Sequence, residues 1–313
     1  MTGAMMMLVA LGLDSVLGWP NAVFRAVGHP VTWLGRLIAA LDRWINLDGA
    51  DEGARRVAGV VAAAVVIGAA AEIAWVLTWL LPDGWPGVVL TGVLAWPLVA
   101  VRSLRDHVRA VALPLGNGDL PAARRAVSMI VGRDPEQLGR EAIARATLES
   151  LAENTSDAVV APVFWGVLFG LPGIAAYKAI NTLDSMIGHR TPRYSAFGWA
   201  SARIDDLANL IPARLTGLLF ALVSTRPRAA LATMWRDALR HRSPNAGWPE
   251  AALAGALEIR LSGPRVYHDR VADEPWLNEG AADPQAADIV RALRLFRFVT
   301  LALALLLAAL SAA

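Results

Sequence analysis

Three short stretches combine acids, amides and cations at spacings able to do chemistry. In Glu153-Asn154-Thr155-Ser156-Asp157, two carboxylates and an amide stand directly against the apolar run Ala158–Gly170, where such groups are costly unless they hold something. In the stretch Tyr177–Gly188, the residues Lys178, Asn181, Asp184, Ser185 and Gly188 share one helical face, with Ala179, Ile180, Leu183, Met186 and Ile187 opposite. In Ala202–Arg214, the residues Arg203, Asp205, Asp206, Asn209 and Arg214 border the apolar run Leu210–Val223. Lys178 is the only lysine; every other member of the 29 Lys and Arg residues is Arg. Carboxylate and amide oxygens suit Mg²⁺, which keeps waters and substrate phosphates in its shell. Arg and Lys beside them suit anionic oxygens, Arg in bidentate fashion. The set points to metal-assisted chemistry on a phosphate or carboxylate, the alternative for the Lys178 patch being a salt bridge that anchors a helix end.

Weaker signals surround these. Glu141, Arg145 and Glu149 recur every four residues, which reads as a solvated helix face laced with ion pairs. His29-Pro30-Val31 with Gly35 places a histidine at a helix start with Pro at the first helical position, either a cap or a base. Ser243-Pro-Asn-Ala-Gly-Trp-Pro-Glu250 is a turn leading into an Ala/Leu helix, structural unless it folds over a site. The five histidines show no pair at metal-ligand spacing, and the absence of cysteine removes thiolate nucleophiles, iron–sulfur clusters and Cys-built zinc sites. Neither a P-loop nor a Gly-x-Ser-x-Gly elbow is present.

The elements that must position these groups are hydrophobic. Of 313 residues, 56% are apolar and 18% charged, against roughly a quarter charged in soluble domains, and mean hydropathy is +0.45. Residues 57–81 are apolar except for Glu72, Pro82–Gly87 form a tight turn, and 87–101 return as a shorter run. This predicts a transmembrane hairpin. Its turn lacks Arg whereas the stretches before and after are Arg-rich, which puts the turn outside and those stretches in the cytoplasm. Residues 298–313 predict a C-terminal transmembrane helix, and Met5–Leu17 is a weaker candidate. With no basic n-region and with Asp14 inside its apolar run, the N-terminus does not read as a cleaved signal peptide.

Two further apolar segments, 158–180 and 207–224, lie around the polar patches. The first contains Pro162, Gly170, Pro172 and Gly173. Straight, it would separate its ends by about 35 Å; folded back, it returns both to one face, which is tolerated where protein buries the backbone. Residues 225–297 have soluble composition and predict a cytoplasmic segment of helices and loops. Strand-like alternation and internal repeats are absent. The expectation is an all-α, polytopic α-helical membrane protein with re-entrant or broken helices and cytoplasmic helical and loop segments, one membrane-embedded domain over 1–313. The net charge of +2 gives no reason to expect nucleic acid.

The strings Glu153-Asn-Thr-Ser-Asp157 with Ala161-Pro162, Tyr177-Lys-Ala-Ile-Asn-Thr-Leu-Asp-Ser185, and Ala202-Arg-Ile-Asp-Asp206 with Asn209 and Pro212-Ala-Arg214 resemble the CobD/CbiB family. These are the membrane-bound adenosylcobinamide-phosphate synthases of cobalamin biosynthesis. His29-Pro-Val with Gly35, Gly132-Arg133-Asp134, Ser243–Glu250 and Gly263-Pro264 with Tyr267 fit the same pattern, so the resemblance runs from about Leu11 to the C-terminus. Where the family tends to have an acidic Gly-Asp-Pro, this chain has Gly18-Trp19-Pro20, and a role for that aspartate does not carry over.

The resemblance implies a ligase, in the cell (inner) membrane with its active site facing the cytoplasm. It would use ATP and Mg²⁺ to join the free propionate of adenosylcobyric acid to aminopropanol or aminopropanol phosphate, giving adenosylcobinamide or its phosphate. Activation as an acyl phosphate would overcome the resistance of a free carboxylate to an amine. On this reading Glu153, Asp157, Asp184, Asp205 and Asp206 are candidates for Mg²⁺-phosphate binding. Asn154, Asn181, Ser185 and Asn209 would orient substrate, Lys178, Arg203 and Arg214 would meet anionic oxygens, and His29 is a candidate base. Two other classes use similar parts: a transporter of a corrinoid or other anion, against which the lack of an inverted repeat stands, and a Mg²⁺-dependent intramembrane phosphotransferase. Oligomeric state stays open.

Overall fold

Ala-, Leu- and Arg-rich helical patterning, interrupted by Pro and Gly, yields an almost wholly helical chain. The structure is a computed structural model that describes residues 2–131, 136–267 and 270–312; the Gly132-Arg133-Asp134 string lies outside the described residues. In chain order the first helices are α1 (Thr2–Leu17), α2 (Asn21–Val27), α3 (Pro30–Ile45), α4 (Glu52–Leu80), α5 (Trp85–Ala95), α6 (Val101–Gly116) and α7 (Leu120–Val127). They are followed by α8 (Arg140–Thr155), α9 (Ala161–Ile187), α10 (Trp199–Ala208), α11 (Leu210–Val223), α12 (Pro227–Asp237), α13 (Gly247–Leu257) and α14 (Ala286–Ala312). Starts follow local chemistry: the Asp51 carboxylate accepts the Ala54 N–H at 3.0 Å to cap α4, and Asp119 caps α7 through Ala122 at 3.0 Å.

Among the described residues four helical stretches, Glu52–Leu80, Trp85–Gly116, Arg140–Ile187 and Ala286–Ala312, are long and apolar enough to cross a membrane, and six if two bent pairs each count as one. The expectation of an all-α polytopic membrane protein holds. The two apolar runs 57–81 and 87–101 fall on α4 and α5, and α5 ends before its run does. Pro97 supplies no N–H, so one 3₁₀ turn (Trp96–Leu98) closes it before α6 begins at Val101. The C-terminal helix starts at Ala286 rather than 298, because Asp288 accepts the Gln285 N–H at 2.8 Å and pairs with Arg291 at 2.7 Å, organising a polar first turn.

By internal contacts the chain divides into two compact units, Met1–Ala100 with Ala161–Asn209 and Ala304–Ala313, and Val101–Val160 with Leu210–Leu303. In the first, α9 folds back on itself. Gly170 has φ 66° and ψ −153°, a region almost reserved for glycine. A Cβ on Gly173 would collide with the Trp165 carbonyl and the Phe169 side chain. Ala161 and Tyr177, which a straight helix would hold about 24 Å apart, share one buried cluster with Ala208. The first limb packs on α1, where Gly166 meets Met7 and Gly3 meets the Val167 carbonyl. The second limb buries Ala179, Leu183 and Ile187 with Ile38, Ala62, Ala63 and Val66.

In the second unit α13 is buried along its whole length, its Gly255 lying against Ala229 and Thr233 of α12. Among its described residues the segment 225–297 also contains four strands where none was expected: Leu261–Ser262 pairs with Trp276–Leu277, and Arg265–Tyr267 with Arg270–Ala272. At two or three residues each, they are too short to show alternation. Asp237 ties this segment to α12. Its carboxylate accepts Arg236 Nη2 at 2.7 Å and the Asn278 N–H at 2.8 Å.

Two tests follow from these contacts. Replacing Gly170 by Ala should cost about 1–3 kcal/mol, read as a lower unfolding temperature in detergent. Burial acts to raise the Asp237 carboxyl, but its hydrogen bonds to Arg236 and Asn278 outweigh that and hold it below the usual range. The stabilisation is therefore complete above the unfolded value of about 4 and lost as pH falls through the folded one. Asp237→Asn should be less stable than wild type at pH 7, with the gap narrowing in acid unfolding scans.

Candidate active site

The polar face of α9 is held in place from behind. After Ile187 the chain loops through 188–198 and re-enters as α10, and Gly198 sits so close to the Ile187 carbonyl that a side chain would not fit. The loop is pinned by Asp42, a buried carboxylate on α3. Asp42 Oδ2 accepts from Arg193 Nη2 at 3.0 Å and Nε at 3.3 Å, while Oδ1 accepts from Asn46 Nδ2 at 2.7 Å. Arg55 donates to Asn46 Oδ1 at 2.9 Å and to the Arg193 carbonyl. Sequence reasoning missed this network, because its members are separated by about 150 positions and no local spacing marks it.

Asn209 is the hub of the site. Its Oδ1 accepts from the Tyr177 hydroxyl at 2.8 Å, and its Nδ2 donates to Asp205 Oδ2 at 3.0 Å. All three residues are buried. Tyr177, absent from the sequence-derived candidates, thus sets the amide orientation that presents Asp205. The other carboxylate oxygen, Asp205 Oδ1, is buried without a hydrogen-bond partner among the described residues. Asp184 and Asp206 are the charged neighbours of Asp205, and the Asn181 side chain joins Asn209 as a hydrogen-bonding neighbour of its carboxylate. Arg203 Nη1 pairs with Asp206 Oδ2 at 3.2 Å. Gly188 lies against the Asp184 carboxylate, where a Cβ would displace it.

Lys178 and His29 are electrostatic neighbours. His29 caps α3: its Nδ1 accepts the Val31 N–H at 3.2 Å, while its own N–H donates to Thr32 Oγ1 at 3.3 Å. With Nδ1 an acceptor, the neutral ring carries its proton on Nε2, which is then a donor. Ser185 is exposed and its hydroxyl donates to the Asn181 carbonyl at 2.8 Å.

Three carboxylates in mutual range, one with a buried unmatched oxygen, are stable only if a proton or a cation offsets them. Among the described residues no three acidic or histidine side chains converge tightly enough to hold a metal by themselves. The donor set therefore fits an ion that arrives with most of its own ligands, as Mg²⁺ on a polyphosphate does, taking one or two carboxylates from the protein. Asp184, Asp205 and Asp206 are the residues that would hold it.

The second unit carries the remaining candidates. Glu149 is buried and its Oε1 accepts the Ser262 N–H at 2.8 Å, while Arg145 donates to the Ser262 carbonyl at 3.3 Å and lies 4.7 Å from the Trp276 ring. The Glu141–Glu149 face is thus not a solvated stripe: its inner members anchor the strand Leu261–Ser262. Glu153 is exposed and Asn154 donates to the Ser150 carbonyl at 2.9 Å. Asp157 lies half-buried in a π-helical turn, Ser156–Val160, which packs against α11; such turns often occur at functional sites. Arg214 on α11 stacks 4.4 Å from the Trp248 ring. The Ser243–Glu250 stretch opens α13, and Glu250 is buried 3.8 Å from His241 Nε2.

Comparison with known proteins agrees with the quoted strings. A family described as CobD/Cbib protein matches residues 7–296. The cobalamin biosynthesis protein CobD of Rhodobacter capsulatus is 65% identical over 297 residues, covering 95% of this chain and 94% of its own. CobD of a Sinorhizobium species is 46% identical over 300 residues, 93% of each chain, and that of Brucella suis biovar 1 is 45% identical over 296, covering 92% and 90%. No solved structure matches.

Asp42→Ala removes the acceptor of the 188–198 loop. It should cost about 1–3 kcal/mol, seen as a lower unfolding temperature, and should expose the loop to cleavage by trypsin at Arg190 or Arg193.

Proposed function

We propose that this chain, which belongs to the CobD/CbiB family and so to cobalamin biosynthesis, joins adenosylcobyric acid to aminopropanol or its phosphate at the expense of ATP. The observation that carries the reading is the carboxylate cluster of Asp184, Asp205 and Asp206, with Asp205 buried and met by amides rather than by a cation, on the same unit as the chain's only lysine. Such a cluster suits a Mg²⁺–polyphosphate; bound Mg²⁺ would supply charge neutralisation to the phosphates.

The reaction divides into two parts. A propionate oxygen takes a phosphoryl group from ATP, giving an acyl phosphate. The amine nitrogen then attacks the acyl carbon, the C–O bond to phosphate breaks, and inorganic phosphate leaves. The amine's surplus proton passes to a carboxylate of the cluster. Lys178 faces anionic oxygen, and the His29 Nε2–H donates to it; with Nδ1 capping α3, this histidine serves as a donor rather than a base. Asn181 and Asn209 keep the carboxylates oriented, Tyr177 fixes Asn209, and Arg203 stays with Asp206. Roles for Glu153, Asp157 and Asn154 in phosphate-bound Mg²⁺, and for Arg214 in anion binding, rest on the family resemblance. The Arg-poor turn between α4 and α5 supports an inner-membrane orientation with the site facing the cytoplasm.

The test is purified protein in lipid nanodiscs with Mg-ATP, adenosylcobyric acid and each amine, followed by mass analysis of corrinoid and nucleotide. The expected product is the corrinoid plus amine minus water, with one nucleotide consumed for each bond made. Asp184→Asn should lower the rate by roughly 10²–10³ while still folding, and Gly188→Ala should also be slow because its methyl displaces Asp184. Wild-type turnover by Asp184→Asn would remove that residue from the site. Nucleotide consumption that ignores adenosylcobyric acid would favour a phosphotransferase instead.

A further inference from the structure

In the second unit, α11 exposes Ile211, Leu215, Leu218 and Leu222, and their spacing places all four on one helical face. The opposite face, with Ala213, Thr216, Gly217 and Phe220, is buried. Gly217 lies against Met234 of α12 and the Trp248 carbonyl of α13. The helix is thus clamped on one side and bare on the other. Arg214, the one charge on it, is half-buried beside the stripe and stacks on Trp248. A continuous apolar stripe of this kind is costly in water and marks an interaction surface.

The packing of α11 on α14 names what meets the stripe. From 298 onward α14 has no charge, and Arg291, Arg294 and Arg297 stand in the turns before. The headgroup boundary therefore falls near Arg297. Leu295, between the last two arginines, packs against a cluster formed by Ala221 of α11, Ala230 of α12 and Ala256 of α13. The C-terminal end of α11 is thereby held at that boundary. Arg226 and Arg228, which follow it in the chain, are exposed, as are Arg294 and Arg297. Exposed guanidinium groups at this depth match lipid phosphates.

Three directions are open to the helix from Ala221. Running inward, its 14 residues would cover about 21 Å, short of the roughly 30 Å of hydrocarbon. Arg203, Asp205, Asp206 and Asn209, which precede it in the chain, would then be drawn into the bilayer, where charged and polar groups are strongly disfavoured. Running outward, it would hold the stripe in water. Lying flat, it keeps Ala221 at the boundary and sinks all four apolar side chains among the tops of the acyl chains, as interfacial helices do. We propose that α11 is an in-plane helix docked on the phospholipid leaflet at the Arg297 end of α14. Its stripe enters the acyl region while Arg226, Arg228, Arg294 and Arg297 meet the phosphates. It begins and ends on one side of the membrane, so the bent pair of α10 and α11 is not a span. The assignment stands independently of the ligase reading.

The chain has no cysteine, so Ile211→Cys, Leu215→Cys, Leu218→Cys and Leu222→Cys can each carry one nitroxide label. The test uses full-length protein in vesicles of phosphatidylethanolamine and phosphatidylglycerol. Depth is read from collision with oxygen, which enters hydrocarbon, against collision with a water-soluble nickel chelate. Leu305→Cys on α14 and Glu279→Cys, both at exposed positions, set the deep and aqueous ends of the scale. All four α11 labels should lie about 5–10 Å into the boundary region, with positions 211 and 222 at similar depth. A crossing helix would separate those two by about 16 Å, and that gradient overturns the proposal. So does nickel accessibility equal to that of Glu279→Cys, which would leave the stripe in water. Immobile labels shielded from both reagents also overturn it, because they would give the stripe to protein, a second copy of the chain being recognised by spin–spin broadening. Four positions keep the test decisive if one variant fails to fold, and no readout depends on ligation.

Discussion

In hydrocarbon every backbone N–H and C=O must find a partner within the protein, because there is no water to take its place. That constraint makes a broken helix possible only where other helices bury the break. α9 meets it at Gly170, whose backbone geometry reverses the chain, and at Gly173, which lets the Trp165 carbonyl approach where any side chain would block it. The reversal is clamped on one side by α1 and on the other by the core of α3 and α4. Everything chemical in this unit follows from it, since it sets Tyr177 and Lys178 on the returning limb with Ala161 and Ala208 packed alongside.

The electrostatics are built on that scaffold. Coulomb repulsion among neighbouring carboxylates in a partly desolvated place is worth several kcal/mol at the effective dielectric of a protein. His189 beside Asp184 and Arg203 beside Asp206 relieve part of it. Asp206 has Arg203, but Asp205 is met mainly by amides, and amides orient a carboxylate without neutralising it. A carboxylate oriented by amides keeps its charge, which is the property that the proposed metal–polyphosphate site draws on. The Asp42–Arg193 network does the opposite: its charges are mutually satisfied, and it serves only to hold the loop that follows the site helix.

Much of this was legible in the residues. The Pro and Gly positions between 162 and 173 marked a break but left a straight crossing and a fold-back both open, while the periodicity from Lys178 to Gly188 separated the polar face from the one buried on α4. Signals carried by long-range pairing were not legible. Nothing near Asp42 marks its partner at Arg193, and nothing near Tyr177 shows that its hydroxyl serves Asn209. Glu149 belongs to a stripe that by spacing alone resembles a solvated face; only the approach of Ser262 from more than a hundred residues away buries it. Charge spacing reports a helix face but not what covers it. The strand pair Leu261–Ser262 and Trp276–Leu277 escaped for a related reason, being held by Glu149 and Asn278 rather than by its own alternation.

The reversal of α9 is the claim on which the site stands, and the chain's lack of cysteine makes it directly measurable. Ala161 and Tyr177 can be replaced by a cysteine pair and the protein treated in the bilayer with a short thiol-to-thiol cross-linker. The account predicts an efficient intramolecular link, lost when either cysteine is omitted. An uncrossed helix would hold the two positions about 24 Å apart, and absence of the link in folded protein whose thiols both react would contradict the account.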